Sequence, residues 1–80
     1  MSKPHLSFEQ RRALRLLSDA GPQGIAETLW AAHEFSAELL SDLVMGGLAT
    51  MAGETVRAGG RAIEVVRVRI TEAGQRAIEE

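Results

Sequence analysis

The 80-residue sequence contains no cysteine, little proline, one tryptophan and two phenylalanines. Without cysteine there is no disulfide framework, no thiolate zinc site and no thiol nucleophile, and redox chemistry says nothing of compartment. No apolar run approaches the roughly 20 residues that cross a bilayer. The opening Met1-Ser2-Lys3-Pro4-His5 lacks the hydrophobic segment of a signal peptide. A cytoplasmic chain without a membrane partner is expected. Positive charge is scarce as well. Nine Lys and Arg against eleven Asp and Glu leave a formal charge of −2, with no global basic signature of a strong nucleic-acid binder. A Gly-rich phosphate loop and paired His/carboxylate spacing are missing too, so an enzyme is not expected.

Eighty residues make one small domain, near the lower limit for a core that folds without staples. The domain is expected to span residues 1–80, with 1–6 as a flexible tail. Its organising stretch is 35–48. Ser36 can cap a helix, and Phe35 and Leu40 flank it at hydrophobic-staple spacing. Leu39, Leu40, Leu43 and Val44 recur at helical spacing. Gly46-Gly47 supplies a left-handed stop, after which Leu48 re-enters the core.

Upstream, Ser7 and Gln10 have capping-box spacing. Ala13, Leu14, Leu16, Leu17 and Ala20 form an apolar side, with Arg11, Arg12 and Arg15 largely off it. Gly21-Pro22 ends this first helix. Residues 25–32 read as a short second helix with Ile25 and Leu29 inward and Ala32 as a further inward candidate. Trp30 is expected at the core or its edge. His33-Glu34 forms the turn before the central helix. Too few donors accompany His33 for a metal site.

Downstream the pattern turns extended. Residues 49–57 read as a strand, with Gly53 as the candidate bulge. Residues 58–61 form a turn, and 62–70 return. Val66, Val68 and Ile70 share one face of the return strand, and Val65, Arg67 and Arg69 the other. Thr71 caps a last helix over 72–80, with Ala77 and Ile78 packing.

Leu14-x-x-Leu17, Ser36-x-x-Leu39-Leu40-x-x-Leu43-Val44-x-x-Gly47-Leu48 and Val68-Arg69-Ile70-Thr71-Glu72-Ala73-Gly74 together resemble the winged helix-turn-helix domains of the bacterial MarR-like type, over roughly residues 7–78. The resemblance implies an α+β winged helix-turn-helix: a three-helix bundle, a β-hairpin wing and a short C-terminal helix. It also implies duplex DNA as a partner and a role in transcription regulation. The family's long dimerising helices have no counterpart in the six-residue tail and the short last helix, so a homodimer is not indicated.

The charge map sets two functions side by side. Arg57, Arg61, Arg67 and Arg69 outnumber Glu54 and Glu64 in the hairpin, and with Arg11, Arg12 and Arg15 they are the candidate phosphate contacts. A solvated, edge-protecting face is the alternative reading of the same arginines. Residues 33–45 carry no Lys or Arg. There Glu34, Glu38 and Asp42, four apart, are expected on one outward face, where DNA readers carry cationic and amide side chains. A protein-interaction adaptor using that acidic face against a basic partner is the alternative to DNA binding. Such an exposed stripe encloses a cation poorly, and no metal or cofactor is expected.

Overall fold

The computed structural model describes residues 6–79. Residues 1–5 of the tail expected over 1–6, and Glu80 of the last helix, lie outside the described residues; that helix ends at Ile78, short of the expected span, with Glu79 extended. These residues form an α+β fold with four α-helices and a three-stranded antiparallel sheet. The order is α1 (Phe8–Ala20), a single 3-10 turn (Gly21–Gln23), β1 (Ile25–Ala26), α2 (Glu27–Ala32), α3 (Ala37–Met45), β2 (Ala49–Ala58), β3 (Arg61–Ile70) and α4 (Glu72–Ile78).

Helix α1 starts where both halves of the capping box close. The Ser7 hydroxyl accepts from the Gln10 N–H at 3.1 Å, and Gln10 Oε1 accepts from the Ser7 N–H at 2.8 Å. Two of the orphan donors of the first turn are thereby satisfied. Its apolar side places Ala13, Leu14 and Leu17 in the core. Leu6, which the sequence grouped with the tail, is also buried.

The second helix differs from expectation. Ile25 is not helical: with Ala26 it pairs against Val68 and Arg67 of β3, which makes it the third strand. Strand pairing satisfies backbone groups that a helix start would leave open. The helix therefore begins two residues later, at Glu27, and the register of its buried side changes. Trp30 takes the core position at 2% exposure, whereas Leu29 is half exposed and Ala32 is exposed.

Helices α2 and α3 end in the same way. At α3, the Leu48 N–H donates to Leu43 O at 2.9 Å and the Gly47 N–H to Val44 O at 3.0 Å, with Gly47 at φ 75°. This is the Schellman arrangement, in which a left-handed residue turns the chain and two orphan carbonyls are satisfied. Its usual apolar partners, here Leu43 and Leu48, are both buried. At α2, the Phe35 N–H reaches Trp30 O at 3.3 Å and the Glu34 N–H reaches Ala31 O at 2.9 Å. The left-handed position falls on Glu34, at φ 65°. The Trp30 and Phe35 rings stand 5.0 Å apart, and Trp30 Nε1 donates to Ser36 O at 2.9 Å. That bond ties the buried indole to the cap of α3.

The hairpin has an unbroken register from Ala49↔Ile70 to Ala58↔Arg61. Gly53 pairs directly with Val66, so no bulge interrupts β2. A two-residue loop explains the regularity. Gly59 and Gly60 both have positive φ, as a turn matching the twist of the flanking strands requires. Strand β3 lies between β1 and β2. Val68, at its base, is fully buried, and burial fades toward the loop. The core therefore sits at the helical end, and the far half of the hairpin projects from it. Thr71 closes the fold as the cap of α4, accepting from the Gly74 N–H at 3.0 Å and donating its hydroxyl to Gly47 O at 2.7 Å.

Leu43 is fully buried in this core, so Leu43→Ala should cost about 2–5 kcal/mol in urea unfolding. A wild-type midpoint would refute the packing of α3. Gly74→Ala should also destabilise, although alanine favours a helix by about 1 kcal/mol. Its Cβ would collide with Leu48 O and the Ile70 side chain, where β-carbon space at Gly53 is open. Gly53→Ala is the control, expected to be near neutral.

Candidate functional site

Three charged regions bear on function: the hairpin arginines, the outer side of α1 and the outward face of α3. In the hairpin, residues directly opposite share a face. Arg61, Arg67 and Arg69 therefore lie on one side with Glu54, and Arg57 lies on the other. Arg67 Nε donates to Glu54 Oε1 at 3.1 Å, and Arg69 Nη2 donates to Glu54 Oε2 at 3.5 Å. Arg69 Nε also donates to Pro22 O at 3.1 Å, joining the hairpin base to the turn after α1. Arg67 and Arg69 thus hold structure together and share one carboxylate. Their pairing runs against a reading of both as free phosphate contacts. Arg57 and Arg61 are exposed near the loop and form no ion pair among the described residues.

Glu54 is the residue that sequence reasoning missed, since it entered only as one negative charge. The register could have revealed it. A two-residue Gly59-Gly60 loop pairs Ala58 with Arg61 and therefore Glu54 with Val65, one step along the face from Arg67.

On α1, Arg11 is partly buried, and Arg12 and Arg15 are exposed. Arg12 does not simply reach into solvent. Its guanidinium carbon lies 5.5 Å from the centre of the Phe35 ring, within range of a cation–π contact. Arg12, Arg15, Leu16, Asp19, His33 and Phe35 line an open groove of about 320 Å³. The sequence offered no way to join His33 and Phe35 to α1, because the fold alone brings the α2–α3 turn against that helix.

Helix α3 is capped by Ser36, whose hydroxyl accepts from the Leu39 N–H at 3.0 Å. With Leu39, Leu40 and Leu43 inward, the outward face is Glu38, Ser41, Asp42 and Met45, all exposed. Met45 is 83% exposed, and its sulfur receives the Ser41 hydroxyl at 3.9 Å. Glu34 does not join this face. The helix begins at Ala37, and Glu34 lies in the preceding turn with left-handed backbone. The expected triad is therefore a helical pair, Glu38 and Asp42, with Glu34 set apart.

Among the described residues no three His, Asp or Glu side chains are grouped to hold a metal ion, and no helix is long and apolar enough to cross a membrane. The chain matches no protein-family model, no curated protein and no solved structure.

Left-handed backbone costs a non-glycine residue roughly 1–2 kcal/mol, partly recovered because glycine is freer in the unfolded chain. Glu34→Gly should therefore raise stability by up to about 1 kcal/mol. A lowered thermal midpoint would show that the Glu34 side chain holds the turn in another way.

Proposed function

We propose that this chain is a winged-helix interaction module whose α3 face engages a basic surface on a partner protein. The order of helices and strands, and the central place of β3 between β1 and β2, support the winged-helix reading. The observation that carries the partner is the exposed face of α3: two carboxylates, a hydroxyl and a methionine, with no Lys or Arg between residues 33 and 45. In a major groove Glu38 and Asp42 would meet phosphates and be repelled. Against lysines or arginines the same groups attract and steer association. Met45 supplies an adaptable apolar surface of the kind enriched at interfaces.

A second reading rests on a different observation. Arg57 and Arg61 are exposed and, among the described residues, without an ion pair at the projecting end of the hairpin, where a wing meets a duplex. Contacts from two arginines, aided by Arg12 and Arg15, would give weak DNA binding that falls steeply with salt.

Two titrations at about 50 mM salt, where non-specific duplex binding is easiest to detect, separate the readings. A short Lys/Arg-rich peptide should shift NMR signals of α3, and Glu38→Gln with Asp42→Asn should abolish the shift. A duplex should produce no saturable response from the wild type. Duplex binding that is lost in Arg57→Gln with Arg61→Gln, with α3 silent toward the peptide, would establish the second reading instead. Glu54→Gln adds an internal check, since it frees Arg67 and Arg69 and should raise any duplex affinity.

A further inference from the structure

The groove between α1 and the α2–α3 turn has a chemistry that the α3 face does not share. Arg12 and Arg15 lie one turn apart on α1, and His33 faces them from the end of α2. Phe35 organises the group. Its ring is buried at 6% exposure, carries the Arg12 guanidinium on one side, and lies 6.3 Å from the His33 ring at an interplanar angle of 23°. A guanidinium held over an aromatic ring by a cation–π contact still has N–H donors for a ligand. Among the described residues neither arginine forms an ion pair, and the His33 ring has no hydrogen bond. Asp19, one turn beyond Arg15, lines the same groove without pairing to it.

We propose that this groove binds a phosphate monoester. Two guanidinium forks and an imidazole supply donors from several directions around one concave space, which suits the three terminal oxygens of a monoester better than the two of a carboxylate or a phosphodiester. The volume of about 320 Å³ is at the small end for ligand sites and takes a phosphoryl group with a short substituent. Asp19 adds a negative charge to the lining that disfavours a second phosphoryl group. The phosphoryl can belong to a free small molecule or to a phosphorylated serine, since the groove recognises the group that they share.

Trp30, the only tryptophan in the chain, stands 5.0 Å from Phe35 and provides the signal. Its fluorescence, and the NMR signals of the Arg12 and Arg15 side chains, should respond saturably to glycerol 3-phosphate and to N-acetylphosphoserine amide. Equal concentrations of acetate at matched ionic strength should leave both unchanged. Response to both phosphates assigns the site to the phosphoryl group alone; response only to the phosphoserine probe assigns it to a modified side chain, and either supports the proposal. Arg15→Gln, which leaves the Arg12–Phe35 contact in place, should weaken binding about tenfold or more. Arg12→Gln should do the same, with thermal unfolding confirming that both variants fold. Glu38→Gln with Asp42→Asn should have no effect, which separates this site from the proposed α3 surface. No saturable response, an equal response to acetate, or affinity unchanged in both arginine variants would overturn the proposal.

Discussion

The carbonyl of Leu48 marks the point on which the fold turns. Gly47 sends the chain back on itself, so Leu48 returns beside Leu43 and leads into β2, whose first residue Ala49 is buried. The Thr71 N–H donates to Leu48 O at 3.1 Å, and the Thr71 hydroxyl donates to Gly47 O at 2.7 Å. Gly74 then lets α4 lie against the same carbonyl, where a β-carbon would collide. Helix α3, both long strands and α4 are thus joined at one short stretch of backbone. In so small a domain the buried area is modest and net stability rests on few kilocalories. Satisfying these groups at close range lets a small apolar core define one arrangement.

A similar closure at the end of α2 links stability to the two proposed binding surfaces. Glu34 occupies the left-handed position that glycine usually fills, and Phe35 follows it into the core beneath Arg12. The turn that ends α2 therefore builds the wall of the basic groove and also sets the start of α3. Because α3 begins only at Ala37, its outward face is short and acidic, with Met45 at its far end. The two surfaces have opposite charge and are shaped by the same turn.

The hairpin shows how pairing changes the meaning of charge. By composition it is a basic element. In the structure Glu54 draws in Arg67 and Arg69, and Arg69 also holds Pro22 O. All three side chains keep some solvent exposure, so the pairs add little stability. Their larger effect is to fix where the guanidinium groups point. Among the described residues Arg57 and Arg61 near the hairpin loop, and Arg12 and Arg15 on α1, form no ion pair, so these guanidinium groups are divided between two elements instead of forming one stripe.

Local chemistry was legible without coordinates. The capping box at Ser7, the caps at Ser36 and Thr71, the stop at Gly47, the Gly59-Gly60 loop and the inward run Leu39, Leu40, Leu43 all follow from interactions within a few residues, which spacing alone encodes. The acidic composition of α3 was equally plain. What the tertiary structure decided depends on partners distant in sequence. Ile25 is a strand residue because β3 lies beside it, and that pairing moved the start of α2 and exposed Leu29. Glu54 matters because the hairpin register carries it to Arg67 and Arg69. His33 and Phe35 meet Arg12 only once α1 packs on the α2–α3 turn. Periodicity and capping report how a segment satisfies itself, whereas edge pairing, ion pairs and grooves depend on which segments the core brings together.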